Sequence, residues 1–101
     1  MSSSQDFVAS QVFFYLRRDI NQSVFAFDSG EGLTVPFFSS LDLAQKFLET
    51  TRVRGHSVDL ITPTRMMNFH ESCKLAGAKF LQLDPLPEVL KTSKVQSITF
   101  K

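Results

Sequence analysis

The stretch VPFFSSLDLAQKF, residues 35–47, changes in the middle from the pattern of a strand to that of a helix. Up to Phe38 the residues are mainly apolar and aromatic, as in a buried strand, and from Leu41 apolar residues recur at helical spacing. Ser39 and Ser40 lie at the junction, where a serine hydroxyl accepts a hydrogen bond from the first helical turn. The stretch therefore predicts a strand that leads directly into a serine-capped helix.

The strand and the helix each carry further signals. Counted from Ser39, Asp42 falls at the third helical position, an arrangement similar to a capping box. Gly55 is the predicted C-cap, because glycine adopts the left-handed conformation without strain. Pro36 has no N–H and is expected at a sheet edge, a bulge or a strand end. The apolar stripe of the helix comprises Leu41, Ala44, Phe47 and Leu48.

The rest of the chain predicts a single small α+β domain. A second helix begins at Thr62-Pro63 and ends at Gly77, because proline suits a first helical turn and glycine a C-terminus. The predicted strands are 12–16, 24–27, 33–38, 58–62, 78–85 and 95–100, with a short helical turn at 86–91. The order β-β-β-α-β-α-β-β gives a mixed sheet of five to six strands with two main helices packed on it. Residues 1–6 are predicted to be a disordered tail and 7–101 the domain.

Composition excludes several classes of function. The chain has 101 residues, eleven basic and ten acidic, so it lacks the basic excess of a dedicated nucleic-acid binder. Its one cysteine allows no internal disulfide. No window approaches the roughly 20 apolar residues that span a bilayer, and the N-terminus lacks the pattern of a secretory signal. We therefore expect a cytoplasmic protein with no membrane or nucleic-acid partner.

Candidate catalytic or metal-binding residues are few. His70 and Cys73 are three residues apart on the second helix, which is too few ligands for a metal site and lacks the third residue of a nucleophile triad. Cys73 lies on the apolar stripe and is expected to be buried and inert. Asp59 and Asp84 are expected to be carboxylates at an edge or facing solvent, with a general base as the less favoured alternative. The sequence thus predicts a non-enzymatic protein without a cofactor, and a small enzyme using Cys73 or Asp59 is the least favoured hypothesis.

The segment RVRGH, residues 52–56, is the densest cationic stretch. Arg52, Arg54 and His56 form a candidate site for an anion or an acidic partner, because guanidinium groups bind phosphate and carboxylate well. The alternative is that these residues only solvate the end of the first helix. If the site is real, the chain is a sensor of a small anionic metabolite.

The segment VPFFSSLDLAQKF resembles the SseB-type (enhanced serine sensitivity) N-terminal domain, in which an apolar-Pro-apolar-Phe strand meets a capped helix. VDL (58–60) and FLQLDP (80–85) extend the similarity over residues 33–85. Ser39 stands where the family has Thr, and Asp84 where it has Asn. The resemblance implies a small α+β domain with no established catalytic residues, and it favours a binding or regulatory module.

The first strand is apolar on both faces, with Phe13 and Tyr15 pointing one way and their neighbours the other. If both helices lay on the same face of the sheet, Phe13 and Tyr15 would form an exposed patch larger than soluble monomers tolerate. A homodimer is the commonest way to cover such a patch. We therefore expect self-association, or binding to a protein partner, through a sheet face centred on Phe13 and Tyr15 and rimmed by Arg17.

Overall fold

The computed structural model describes residues 11–100, and the predicted tail 1–6 lies outside that range. The domain is α+β, as predicted, with a mixed six-stranded sheet and two main helices. A 3-10 turn, Pro63–Arg65, leads into the second helix, and another 3-10 segment covers Pro87–Thr92. The strands and helices in chain order are β1 (Phe13–Arg18), β2 (Val24–Asp28), β3 (Leu33–Phe38), α1 (Leu41–Thr51), β4 (His56–Ile61), α2 (Met66–Leu75), β5 (Phe80–Leu83) and β6 (Lys94–Ile98).

Strand β3 is the centre of the sheet, and it changes partner along its length. On one edge it pairs in parallel with β5. On the other edge its first residues pair with β2, at Thr34, and its last residues pair with β1, at Phe38. Strand β4 lies outside β1, and β6 lies outside β2, both antiparallel.

Pro36 is buried inside β3, so the prediction of an edge, bulge or strand end was wrong. The pairing explains why proline is tolerated. Alternate residues of a strand turn their backbone groups to opposite edges, and the amides of Lys79 and Asp84 donate to the carbonyls of Leu33 and Phe37. Pro36 therefore turns its missing N–H toward the other edge, at the point where β3 passes from β2 to β1.

The two helices lie on opposite faces of the sheet. Strand β1 is antiparallel to both β3 and β4, so α1 and α2 each connect parallel strands. The chain crosses from β3 outward to β4 through α1 and returns across the sheet to β5 through α2. Right-handed crossovers in opposite directions place their helices on opposite faces. The condition for an exposed patch of Phe13 and Tyr15, that both helices lie on one face, is therefore not met, because it requires crossovers in one direction.

Each helix completes one of two apolar clusters. Burying one large apolar side chain contributes about 1.5–3 kcal/mol, so both clusters matter for stability. The α1 cluster contains Leu16, Phe25, Phe27, Phe38, Ala44 and Phe47, with Val89 and Leu90 of the second 3-10 segment packed against it. The α2 cluster contains Val24, Ala26, Val35, Ile61, Phe69, Cys73, Ala78 and Ile98, with Phe13 and Tyr15 packed against it.

The two serines at the start of α1 have different partners. Ser40 is the N-cap, and its hydroxyl accepts from the Leu43 amide at 3.2 Å. Ser39 instead donates through its amide and hydroxyl to the Asp84 carboxylate, at 2.9 and 2.7 Å. The capping box counted from Ser39 was therefore wrong, and so was the expectation that Asp84 only faces solvent. This contact ties the end of β3 to the end of β5.

Helix α1 ends earlier than predicted. Arg52, not Gly55, is the C-cap, with a left-handed φ of 57° and an amide that donates to the Leu48 carbonyl at 3.0 Å. Gly55 also has a positive φ, of 73°, in the turn just before β4. Within residues 11–100, neither helix is long and apolar enough to cross a bilayer.

Candidate functional site

The three residues predicted to bind a partner lie on β1, but α2 covers two of them. The Tyr15 ring packs against Phe69 of α2 with centroids 5.0 Å apart, and Phe13 packs edge-on against Phe37 at 5.5 Å. Phe13 and Tyr15 are only partly exposed. The sheet face that they were expected to offer to a partner is therefore occupied by the chain's own helix.

Tyr15 and Arg17 instead meet Asp59 of β4, which pairs directly with Tyr15 in the β1–β4 ladder. The Tyr15 hydroxyl donates to Asp59 Oδ2 at 3.4 Å. Arg17 Nε forms an ion pair with the same oxygen at 3.3 Å, although this contact lacks hydrogen-bond geometry. A half-exposed ion pair of this kind contributes little to stability, about 0–1 kcal/mol. The cluster mainly orients the three side chains.

Helix α2 closes this cluster into a pocket of about 200 Å³, which we call the tyrosine pocket. Arg65, Asn68 and Ser72 supply polar groups from the helix side, and Phe69 and Phe100 supply aromatic walls. Burial first, and then the Asp59 charge, raise the pKa of Tyr15 above its ordinary value of 10.0. Tyr15 is thus a neutral hydrogen-bonding group and not an activated nucleophile.

Cys73 and His70 do not form a site together. Cys73 is fully buried, as predicted, and burial raises the pKa of its thiol from 9.0 to about 12. His70 lies on the exposed side of α2. Within residues 11–100, no three His, Cys, Asp or Glu side chains cluster in a way that would hold a metal ion. The structure thus places Cys73 as a core residue of the α2 cluster.

The structure brings together two of the three residues predicted to bind an anion. Arg54 and His56 line a shallow depression of about 310 Å³, and Arg18 from the end of β1 joins them. Arg52 is exposed but is not among the residues that line it. The opposite wall is β6, through Val95, Gln96 and Ser97. We call this site the cationic depression.

A larger groove of about 530 Å³ runs between β5 and the second 3-10 segment, on the face that carries α1. We call it the β5 groove. Its walls contain apolar and polar residues in equal number, and Phe80 and Leu83 of β5 are 45% and 48% exposed. The residues that line the groove are Phe27, Ser29, Glu31, Thr34, Phe80, Leu81, Gln82, Leu83, Val89 and Thr92.

Sequence reasoning missed Arg18, Arg65 and the exposed residues of β5. Arg18 follows directly after Arg17, but its place beside Arg54 depends on the β1–β4 register, in which Arg18 pairs with His56. The β5 segment FLQL did carry a readable signal, because it is a short strand sequence without a charged residue.

Comparisons with protein-family models, with curated proteins and with solved structures gave no match for this chain. The resemblance to the SseB-type domain over residues 33–85 therefore stays a prediction.

Proposed function

We propose that this chain is a non-enzymatic interaction module that self-associates by pairing the free edge of β5 with the β5 edge of a second copy. The observation that carries the proposal is the state of this edge. Within residues 11–100, β5 pairs with β3 alone, and its side chains Phe80 and Leu83 are about half exposed. An unpaired strand edge is a ready template for another strand.

Among the described strands, β4, β5 and β6 each have one free edge. Charged residues on an edge strand discourage pairing with another chain. Strand β4 contains Asp59, and β6 begins with Lys94, whereas β5 has no charged residue. Strand β5 is therefore the edge best suited to pairing.

A two-fold antiparallel arrangement satisfies the backbone of β5. The backbone groups of Leu81 and Leu83 point to the free edge, because the ladder with β3 uses the residues that alternate with them. Of those residues, Asp84 donates its amide to the Phe37 carbonyl. Setting Leu81 opposite Leu83 of the second copy lets both residues exchange their N–H and C=O bonds. Gln82 then faces its own copy across the two-fold axis, as an isologous contact requires.

Charge and shape at the ends of β5 agree with the same arrangement. Lys79 precedes the strand and Asp84 follows it, so antiparallel pairing brings opposite charges to each end of the ladder. The β5 groove adjoins the edge, and side chains of an added strand extend toward it, as in other cases of strand addition. We therefore favour a second copy over an unrelated partner.

Sedimentation equilibrium from low micromolar to near-millimolar concentration tests the proposal with four proteins. Wild type and Val95→Lys, which places the same charge on the β6 edge, are expected to be dimers at the upper end of this range. Phe80→Lys and Leu83→Pro are expected to be monomers of 11.4 kDa. Leu83→Pro removes an N–H that faces the free edge and leaves the β3 ladder intact.

A wild-type protein that stays monomeric would overturn the proposal. A Phe80→Lys variant that stays dimeric while Val95→Lys dissociates would overturn it too, because β6 would then be the interface. Circular dichroism of each variant confirms that it is folded. A second candidate function, sensing of a small anionic ligand, is favoured by the cationic depression.

A further inference from the structure

We propose that the cationic depression binds a small phosphate-bearing ligand, held by Arg18 and Arg54 together with His56. This site is separate from the β5 edge and shares no residue with it. The two guanidinium groups come from different segments, the end of β1 and the turn before β4. Guanidinium groups offer paired N–H donors that match the oxygens of a phosphate.

The positive charge of Arg18 and Arg54 is not neutralised by an acidic residue in the walls of the depression. None of its six lining residues carries a carboxylate, although the whole chain has a net charge of only +1. The neighbouring carboxylate, Asp19, accepts a hydrogen bond from Ser57 Oγ. Ser57 follows His56 in β4, and successive side chains of a strand point to opposite faces. Asp19 is therefore held toward the other face of the sheet.

The His56 ring has a defined orientation. Its Nδ1 lies 2.8 Å from the Arg54 carbonyl oxygen, and its ring packs edge-on against Phe25 at 5.3 Å. A carbonyl oxygen only accepts, so Nδ1 carries a proton and Nε2 is the ring atom left for a ligand. Nε2 accepts from a P–OH group when the ring is neutral and donates to a phosphate oxygen when it is protonated. Both states suit a phosphate monoester.

The wall formed by β6 adds a neutral donor. Ser97 pairs with Phe25 in the β2–β6 ladder, so its side chain lies on the same face as the Phe25 and His56 rings. A serine hydroxyl donates to a phosphate oxygen without adding charge. The site thus offers two guanidinium groups, one imidazole nitrogen and one hydroxyl around a volume of about 310 Å³.

A ¹H–¹⁵N NMR titration tests this site, with inorganic phosphate and phenyl phosphate as probes at constant ionic strength. Both are expected to shift the amide signals of Arg18, Arg54, His56 and Ser97 in a saturable way. Arg18→Gln and Arg54→Gln are each expected to weaken binding about ten-fold, the loss of one charged hydrogen-bonding partner. Arg52→Gln is the matched control, because Arg52 lies in the same segment but outside the depression, and it is expected to leave binding unchanged.

Saturation by both probes with similar affinity would support a site for the phosphate group itself. Tighter binding of phenyl phosphate would support an ester whose organic part also contacts the walls. Shifts that equal those caused by sodium chloride would overturn the proposal. Arg52→Gln weakening binding as much as Arg54→Gln would also overturn it, because the binding would then be a general charge effect. The monomeric Phe80→Lys variant is expected to bind as wild type does, which separates this result from the proposed dimer.

Discussion

At the scale of single residues, the contact between Ser39 and Asp84 joins segments that are 45 residues apart. Asp84 holds a left-handed φ of 50°, which Asn tolerates and Ala does not. Asp84→Ala is expected to lower the free energy of unfolding by about 2 kcal/mol, because it removes two hydrogen bonds to a charged acceptor and adds backbone strain. Asp84→Asn keeps one acceptor and is expected to lose about half as much.

Urea unfolding of both variants, with Ser39→Ala and the double variant, measures the coupling. The losses from Ser39→Ala and Asp84→Ala are expected to be less than additive, since each substitution removes the bond between the Ser39 hydroxyl and the Asp84 carboxylate. Strict additivity would show that the two side chains act independently.

The buried Cys73 thiol makes stability fall at high pH. Its pKa is raised to about 12 in the folded chain, from an ordinary 9.0. Between these values the unfolded chain releases the proton and the folded chain keeps it, so the unfolded state is favoured as pH rises. The free energy of unfolding is expected to fall above pH 9, by at most about 1.4 kcal/mol per pH unit from this group.

Cys73→Ala is expected to flatten this fall, measured by urea unfolding at several alkaline pH values. An unchanged slope in Cys73→Ala would mean that other groups, such as Tyr15, cause it. Native wild type is also expected to react slowly with a thiol reagent. Leu75→Cys in a Cys73→Ser background is the fast-reacting control, since position 75 is 88% exposed.

At the scale of elements, α2 is held to the sheet mainly by Phe69, which contacts Tyr15 on one side and Phe100 on the other. Phe69→Ala is expected to lower the free energy of unfolding by about 3 kcal/mol, because it leaves a cavity in the α2 cluster. Met67 of the same helix is 76% exposed, so Met67→Ala is expected to change the free energy of unfolding by no more than about 0.5 kcal/mol. Equal losses in the two variants, measured by urea unfolding, would contradict the assignment of α2 as the cover of Phe13 and Tyr15.

The elements themselves were largely predictable, because their signals are local. The bounds predicted for β3 match the structure, since the strand pattern and the serine pair mark its end. The start of the second helix followed from Thr62-Pro63, although it begins as a 3-10 turn without a side-chain cap from Thr62. The faces of the helices were not predictable in this way, because they depend on where β4 and β5 enter the sheet.

The candidate sites show the same division between local and distant information. Arg54 and His56 were identified from one short segment, but Arg18 joins them only through the β1–β4 register. Asp59 lies beside Tyr15 for the same reason. Arg52 does not line the cationic depression, because it is the C-cap of α1. This C-cap was predicted at Gly55, three residues too late.

At the scale of the whole molecule, the structure leads us to propose a homodimer interface at the edge of the sheet instead of on its face. The face centred on Phe13 and Tyr15 is covered by α2, and α1 with the second 3-10 segment covers much of the other face. What the domain leaves open is the uncharged edge of β5 and the adjoining groove. A symmetric ladder across this edge would continue the sheet from one copy into the next.

Amide hydrogen exchange at two protein concentrations tests this central proposal most directly. The Leu81 and Leu83 amides face the free edge, so they are expected to exchange quickly at low micromolar concentration and slowly near millimolar concentration, where the dimer forms. The Gln82 amide, turned toward β3, is expected to be protected at both. Leu81 and Leu83 amides that exchange at the same rate at both concentrations, with the protein folded throughout, would contradict pairing at the β5 edge.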